Sequence, residues 1–429
     1  PDGGRPAEHD PETVAERVER YVDRLDLPDA DRLLGAYRSG TALWWFPHVR
    51  ADAAVDRGAD AAVDRGADAS ADSGSNAGAD SGADAGADSG TDGVTTSPDV
   101  GTAGDRAQRV EVDADAAGGV AQWCYLPTHR TSRFEGKVTV RGSAAEPAAG
   151  SFADSLTVAV HRVAPDGTLD DPLATATVPV TEEYRTVEFD LELPESVGDE
   201  RGTVFAASAT AAGPANVVLD RFLLYPDDHV RTVDPEVIEF LREADLPVLR
   251  WPGGNFVSGY HWEDGVGPVE DRPTKPNPAW DGLETNLFGT DEFVALCEAV
   301  GCEPMVCLNA GNGTAAEAAR WVEYCNGDPG ETEYGALRAE HGHPEPYDIT
   351  YWEVGNEVYG EWQTTWTTPG GYADRFRRFY DAMTAVDDSV EVFACGNRFT
   401  DWPDPVVADA GDEMDWITDH VLVGGAVDP

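Results

Sequence analysis

Near Val233 the hydrophobic pattern of this chain changes period, and that change limits the folds open to it more than any other feature. Upstream, over residues 106–228, apolar and polar residues alternate in short runs: GVAQWCYL, GKVTVRG, LTVAVHRV, LATATVPV, TVEFDLEL, TVFAASAT and NVVLDRFLLYP. A period of two puts successive side chains on opposite faces, the mark of half-buried strands. Turn-forming clusters such as PDGTLDD and PESVGDERG separate the runs. This spacing predicts an antiparallel β-sandwich of jelly-roll type over 106–228. Downstream, over 229–429, strands and helices alternate. Asp234 and Pro235 open the helix EVIEFLREAD as cap and first-turn proline. The strands PVLRW, EPMVCLNA, ITYWEV, VEVFACG and MDWITDH are interleaved with TDEFVALCEAV, TAAEAARWVEYC and GGYADRFRRFYDAMTAV. Thr314 and Glu317 form a capping-box sequence at the start of TAAEAARWVEYC. Alternation of this kind gives right-handed βα units and a parallel sheet.

A closed barrel needs eight such strands, and only about five are legible here. No glycine fingerprint with a following acidic residue succeeds the first strand, so dinucleotide binding on a doubly wound sheet is unsupported. The fold class expected is α/β plus all-β: an incomplete (β/α)8 barrel preceded by a jelly-roll sandwich. Residues 1–50 hold a polar helical pattern, PETVAERVERYVDRL, then the aromatic, strand-like piece ALWWFPHV, and resist assignment. Residues 51–105 are acidic and of low complexity, with ADAAVDRG twice in tandem, and are expected to be a disordered insert.

The net charge of −51 repels nucleic acid and anionic membranes, which excludes both as partners. No apolar run is long enough to span a bilayer. The acidity reads as a solvated surface suited to high salt rather than as cation binding, since no regular Asp/Asn loop with a terminal Glu occurs. Cys124, Cys297, Cys302, Cys307, Cys325 and Cys395 include no CxxC pair and read as buried free thiols, favouring a reducing, cytoplasmic compartment. No metal or organic cofactor is implied.

In a barrel, functional groups lie at the C-terminal strand ends and in the loops that follow. Those exits read PGGNFVSGYHWEDGVGPVEDRP, GNGT, GNEVYGEW and DH, rich in groups suited to hydroxyls and sugar rings. Glu357, after the strand ITYWEV, is placed to protonate a glycosidic oxygen, or is a solvated turn residue. Asn255 reads equally as an amide contact to hydroxyls or as an Asx-turn residue. Trp262 stacks on a sugar ring or pins the long loop. His261 contacts ligand or is structural to that loop. Gly311-Asn312-Gly313-Thr314 lacks the lysine of a phosphate loop and reads as a turn into a helix cap. Glu353 lies within the strand and reads as a buried, paired carboxylate, and Glu361 as a rim residue. Trp123 reads as a core aromatic, while Tyr125 and Tyr184 fit a core or a sugar-stacking face.

The blocks WPGGNFVSGYHWEDGVGP, NLFGTDEF, EPMVCLNAGNGTAAEAARWVEYCNG and YWEVGNEVYGEWQ together resemble the α-L-arabinofuranosidases of glycoside hydrolase family 51. The resemblance extends over about 220–420, and a jelly roll ahead of LRWPGG is similar to members with an inserted carbohydrate-binding-like domain. It implies a (β/α)8 barrel with retaining chemistry. Glu357 would be the general acid/base, Asn356 would contact the sugar 2-hydroxyl, and Asn255 and His420 would line the sugar pocket, with Trp262 and His261 nearby. The implied substrates are arabinose-containing oligo- or polysaccharides, and the implied assembly is a homo-oligomer. Leu422 departs from the pattern, for the family tends to place Tyr two residues beyond that His. The family's nucleophilic Glu, on a later strand, has no counterpart here, nor does its first barrel strand. The resemblance therefore implies a fragment, or a defective frame, of a longer enzyme, inactive alone. Another retaining barrel glycosidase, a xylosidase or endoglucanase, and a non-catalytic carbohydrate-binding protein are the competing readings.

Overall fold

The computed structural model describes residues 45–49, 93–102, 107–142, 154–165, 167–280 and 282–421. The chain divides into two compact units, and their described parts run from 45 to 227 and from 228 to 421.

The first of these is built from two five-stranded sheets. One runs β1 (Trp45–Val49), β4 (Ala117–Tyr125), β9 (Val204–Ala212), β6 (Ser155–Arg162) and β7 (Ala174–Pro179). The other runs β2 (Val94–Asp99), β3 (Ala107–Val112), β10 (Ala215–Pro226), β5 (Arg133–Gly142) and β8 (Arg185–Glu192). Every pairing is antiparallel. Alternate residues such as Val138, Val140, Val158, Val160, Phe205 and Val217 meet in one core. All the runs read as strands from 119 onward are strands.

Three further strands lie outside those runs. β1 falls in the strand-like piece ALWWFPHV of the unassigned segment and pairs with β4. β3 lies just ahead of the first run. β2 corrects the expectation of disorder at its C-terminal end, because Val94–Asp99 pairs with β3 along its whole length. The cause is local: Val94, Thr95 and Thr96 are β-branched, and Val94 is buried in the core. Residues 51–92 of that stretch, and the helical pattern near the N-terminus, lie outside the described residues.

The second unit carries a five-stranded parallel sheet in the order β11 (Val248–Trp251), β14 (Glu303–Leu308), β15 (Tyr351–Val354), β16 (Glu391–Cys395) and β17 (Trp416–Thr418). Between β11 and β14 the long loop holds three short 3-10 turns and a two-residue ladder, β12 (Lys275–Pro276) with β13 (Leu283–Glu284). The strands of the parallel sheet follow chain order without reversal. A doubly wound sheet would reverse at a switch point, so that alternative fails, and sequential order is what an arc of a barrel requires. The intervening helices match the predicted ones. Glu333–Glu340 and Pro403–Ala410 were missed, being only eight residues each. Trp262, Trp321, Trp352, Tyr324, Tyr372 and Phe376 fill the core. Among the described residues no helix is long and apolar enough to cross a membrane.

Candidate active site

The site grows from the end of β15. After Val354 the chain turns through Gly355, at φ 85°, where a Cβ would meet the Ala310 Cβ at 2.8 Å. Glycine is needed there on both counts. Glu357 then adopts φ 44°, a left-handed conformation that favours glycine, and is held in it by its side-chain partners. Its Oε1 lies 2.8 Å from Nδ1 of His420. Its Oε2 accepts a hydrogen bond of 2.9 Å from Nε1 of Trp362. The Glu357 carboxyl is mostly buried yet reaches solvent, with 19% of its side chain exposed. His420 follows the end of β17, which β16 separates from β15 in the sheet, so two strand exits converge on one carboxyl.

Below it lies a buried polar layer. Glu353, on β15, is fully buried and paired with Arg250 of β11, and it accepts a 2.6 Å bond from the Thr418 hydroxyl of β17. Arg250 also donates to Oδ1 of buried Asn356 at 3.0 Å and to the Cys307 sulfur at 3.2 Å. A guanidinium only donates, so Asn356 must turn its carbonyl to Arg250 and its NH₂ group away. Burial opposes the charge on Arg250, but Cys307 and Glu353 more than offset it and its pKa rises. Asn255 sits in the 3-10 turn Gly254–Gly259, where its Oδ1 accepts from Gln363 at 2.8 Å. Gln363 is in turn bonded to the Ser258 hydroxyl at 2.6 Å. The Asx-turn alternative for Asn255 is therefore replaced by a side-chain link to the loop after Glu357.

Trp262 departs from the expectation of a sugar contact. Only 1% of it is exposed, its ring stacks on Trp321 at 5.9 Å, and Nε1 donates to the Glu317 carbonyl at 3.2 Å. A ring so enclosed offers no face to a ligand; it pins the loop to the helix Ala315–Asn326. His261 is tied to the same helix, with Nδ1 2.9 Å from Glu317 Oε1. That hydrogen bond, against burial, raises its pKa above the ordinary imidazole range. Thr314 caps the helix by accepting from the Glu317 N–H at 3.1 Å, but the Glu317 carboxylate is bonded to His261. Glu361 is exposed, as read from sequence. Leu422 lies outside the described residues.

The structure thus joins Glu357, His420 and Trp362 by direct bonds, and Asn356, Glu353 and Thr418 through one buried network. Sequence reading missed Arg250, Trp362 and Gln363. An arginine inside the apolar strand PVLRW was the available signal, since such a charge needs a buried partner. Tyr359 packs near the same turn, and burial together with the Glu357 carboxylate raises its pKa. All six cysteines are free; burial pushes the Cys395 thiol up to about 12. Among the described residues no cluster of His, Cys, Asp or Glu could hold a metal ion. A cavity of about 570 Å³ opens elsewhere in this unit, lined by residues including Thr314, Thr365, Arg375 and Arg378, and by none of the residues just named.

A carboxyl at a parallel strand tip, flanked by amide and indole donors, lies where βα barrels carry their functional groups. Comparison with known proteins narrows the class. Residues 241–423 match the family model described as the alpha-L-arabinofuranosidase 1 domain. Alpha-L-arabinofuranosidase C of Emericella nidulans is 49% identical over 163 residues, covering 38% of this chain and 32% of that protein. An intracellular exo-alpha-(1->5)-L-arabinofuranosidase of Acetivibrio thermocellus is 40% identical over 195 residues, covering 44% of this chain and 39% of that protein. The chain therefore spans about a third of the length of the curated relatives it matches. A solved arabinose-bound α-L-arabinofuranosidase of glycoside hydrolase family 51 superposes with a TM-score of 0.59 at 20% identity, covering 71% of this chain and 51% of that one, which shows a shared fold. Over the segment they cover, the chain is similar to proteins named alpha-L-arabinofuranosidases, which are glycoside hydrolases.

Proposed function

We propose that the βα unit is an arc of the catalytic (β/α)8 barrel of a retaining exo-α-L-arabinofuranosidase. Its substrates are terminal α-L-arabinofuranosyl units of arabinan- or arabinoxylan-derived saccharides. The observation that carries the reading is the Glu357 carboxyl, held at the β15 exit by His420 and Trp362 and open to solvent. In this reading Glu357 protonates the departing glycosidic oxygen and later takes a proton from water. Asn356 and Asn255 bind sugar hydroxyls through amides whose carbonyls are engaged within the protein. His420 lines the pocket and braces the acid.

Retaining cleavage also needs an attacking carboxylate roughly 5 Å from the acid. We assign that part to no residue described here: Glu353 is sealed against Arg250, and Asp419 is paired with Arg398 at 2.7 Å. The sandwich is a carbohydrate-binding-like jelly roll in this reading, and the acidic surface is an adaptation to high salt. The test is hydrolysis of nitrophenyl α-L-arabinofuranoside, β-xyloside and β-glucoside by the full-length protein. Only the first should be cleaved. Glu357→Gln should slow release of arabinose from arabino-oligosaccharides by about 10²- to 10⁴-fold. Undiminished turnover in that variant would end the assignment.

A further inference from the structure

We infer that Trp362 is a positioning residue for the acid: its indole N–H fixes Oε2 of Glu357 as the accepting oxygen, leaving Oε1, beside His420, to carry the transferable proton. The inference rests on the acid/base reading of Glu357 and adds which oxygen acts and what selects it. An indole nitrogen donates and never accepts, so the protonated carboxyl turns its carbonyl oxygen, the better acceptor, to Trp362 at Oε2. Oε1 differs because His420 Nδ1 can accept as well as donate, so a proton on Oε1 faces a partner able to receive it, which Oε2 lacks.

The turn between the two residues is built for this contact. The Gly360 N–H bonds to the Glu357 carbonyl at 2.8 Å, and the Gln363 N–H to the Gly360 carbonyl at 3.0 Å. A Cβ on Gly360 would lie 2.2 Å from Cε2 of Trp362, so the indole lies where only glycine permits it. The Tyr359 ring meets the indole edge-on at 6.2 Å and 89°. Trp362 is nonetheless 60% exposed, more than packing alone explains for so large a ring. In the reaction the Oε1 proton passes to the glycosidic oxygen, which takes the electron pair of the breaking C–O bond while the attacking carboxylate bonds to the anomeric carbon. Glu357 is left as an anion held by the Trp362 N–H. Water then yields a proton back to Oε1 as its oxygen bonds to the anomeric carbon and displaces that carboxylate.

Trp362→Phe keeps the ring and removes the donor. On the full-length protein, kcat for arabino-oligosaccharides, whose leaving groups need the proton, should fall about tenfold. With nitrophenyl arabinofuranoside, whose leaving group does not, kcat should stay within about twofold, as should KM for both substrates. A KM rise, or equal losses on both substrates, would show a mere wall and overturn the inference. Independently of turnover, the Trp362 indole proton of the ¹⁵N-labelled chain, assigned by its loss in Trp362→Phe, should move upfield in Glu357→Leu. An unmoved resonance means that no such bond exists. If the wild type cleaves no arabinofuranoside while that resonance does move, the acid/base reading falls and the Trp362–Glu357 contact stands as a fact of the fold.

Discussion

The sandwich and the βα unit fill their interiors by different rules. Among the described residues of the sandwich, the buried polar side chains are Thr96, Gln108, Thr139, His161, Ser208, Thr210 and Asn216, with no Asp, Glu, Lys or Arg. The βα unit buries Arg272, Asp291, Glu317, Arg338 and Glu353. Buried charge is costly unless paired, so each of these must answer for itself. Arg338 does so structurally, donating to the carbonyls of Tyr324 at 2.6 Å, Gly327 at 2.9 Å and His343 at 3.0 Å. Arg272 forms a fork with Glu292 at 2.8 and 2.9 Å. Glu353 with Arg250 is different, because that pair also reaches Asn356 beside the acid. The lesson is that an interior without buried charge serves as scaffold here, while the buried charge beside a strand exit holds the candidate site.

The largest test of that contrast is Arg250→Met. It strands the Glu353 carboxylate and frees Asn356, and should cost about 3–5 kcal/mol in urea denaturation. Adding Glu353→Met should restore most of the loss, because an apolar pair of similar volume replaces two charges, while arabinoside cleavage stays low. A single variant as stable as wild type would erase the distinction between the two interiors. Next comes Leu156→Ala in the sandwich, a fully buried aliphatic deletion worth about 3 kcal/mol by the same measurement, with KM and kcat unaltered. Thr418→Val should cost less, about 1–2 kcal/mol, since it removes one hydroxyl bond to Glu353 and keeps the shape.

The two regions also differ in how far they could be read in advance. Period-two runs such as LTVAVHRV and TVEFDLEL declared their strands because one face is buried and the other wet. β2 stayed hidden because VTTSPD borders an Ala-Asp-Ser-Gly tract whose composition swamps a six-residue signal. In the βα unit the longer helices and the strands of the parallel sheet were equally plain, and the end of ITYWEV marked where Glu357 emerges. What sequence could not supply was pairing across the sheet. That Arg250 meets Glu353, 103 positions away, depends on β11 and β15 flanking β14, which is topology rather than pattern. Trp262 misled for the same reason: a loop tryptophan looks available until the helix carrying Trp321 packs over it.

The smallest effect bears on His261, whose partner Glu317 belongs to the buried set while the histidine itself is half-exposed. The hydrogen bond to Glu317 holds the imidazolium and raises its pKa in the folded state, with burial opposing. A group that binds its proton more tightly when folded adds stability while protonated. The contribution is therefore fully present below about pH 6.5, the unfolded value, and fades as pH rises through the higher folded value. With 44% of the His261 side chain exposed, solvent screening limits it to a few tenths of a kcal/mol. Glu317→Gln removes the anion and keeps the backbone carbonyl that binds Trp262. Urea midpoints of the two proteins should differ most at pH 5.5 and converge toward pH 8.5. A gap that instead widens with pH would mean Glu317 serves some neighbour other than His261, and the pair would join Arg338 as architecture rather than as part of the loop's response to protons.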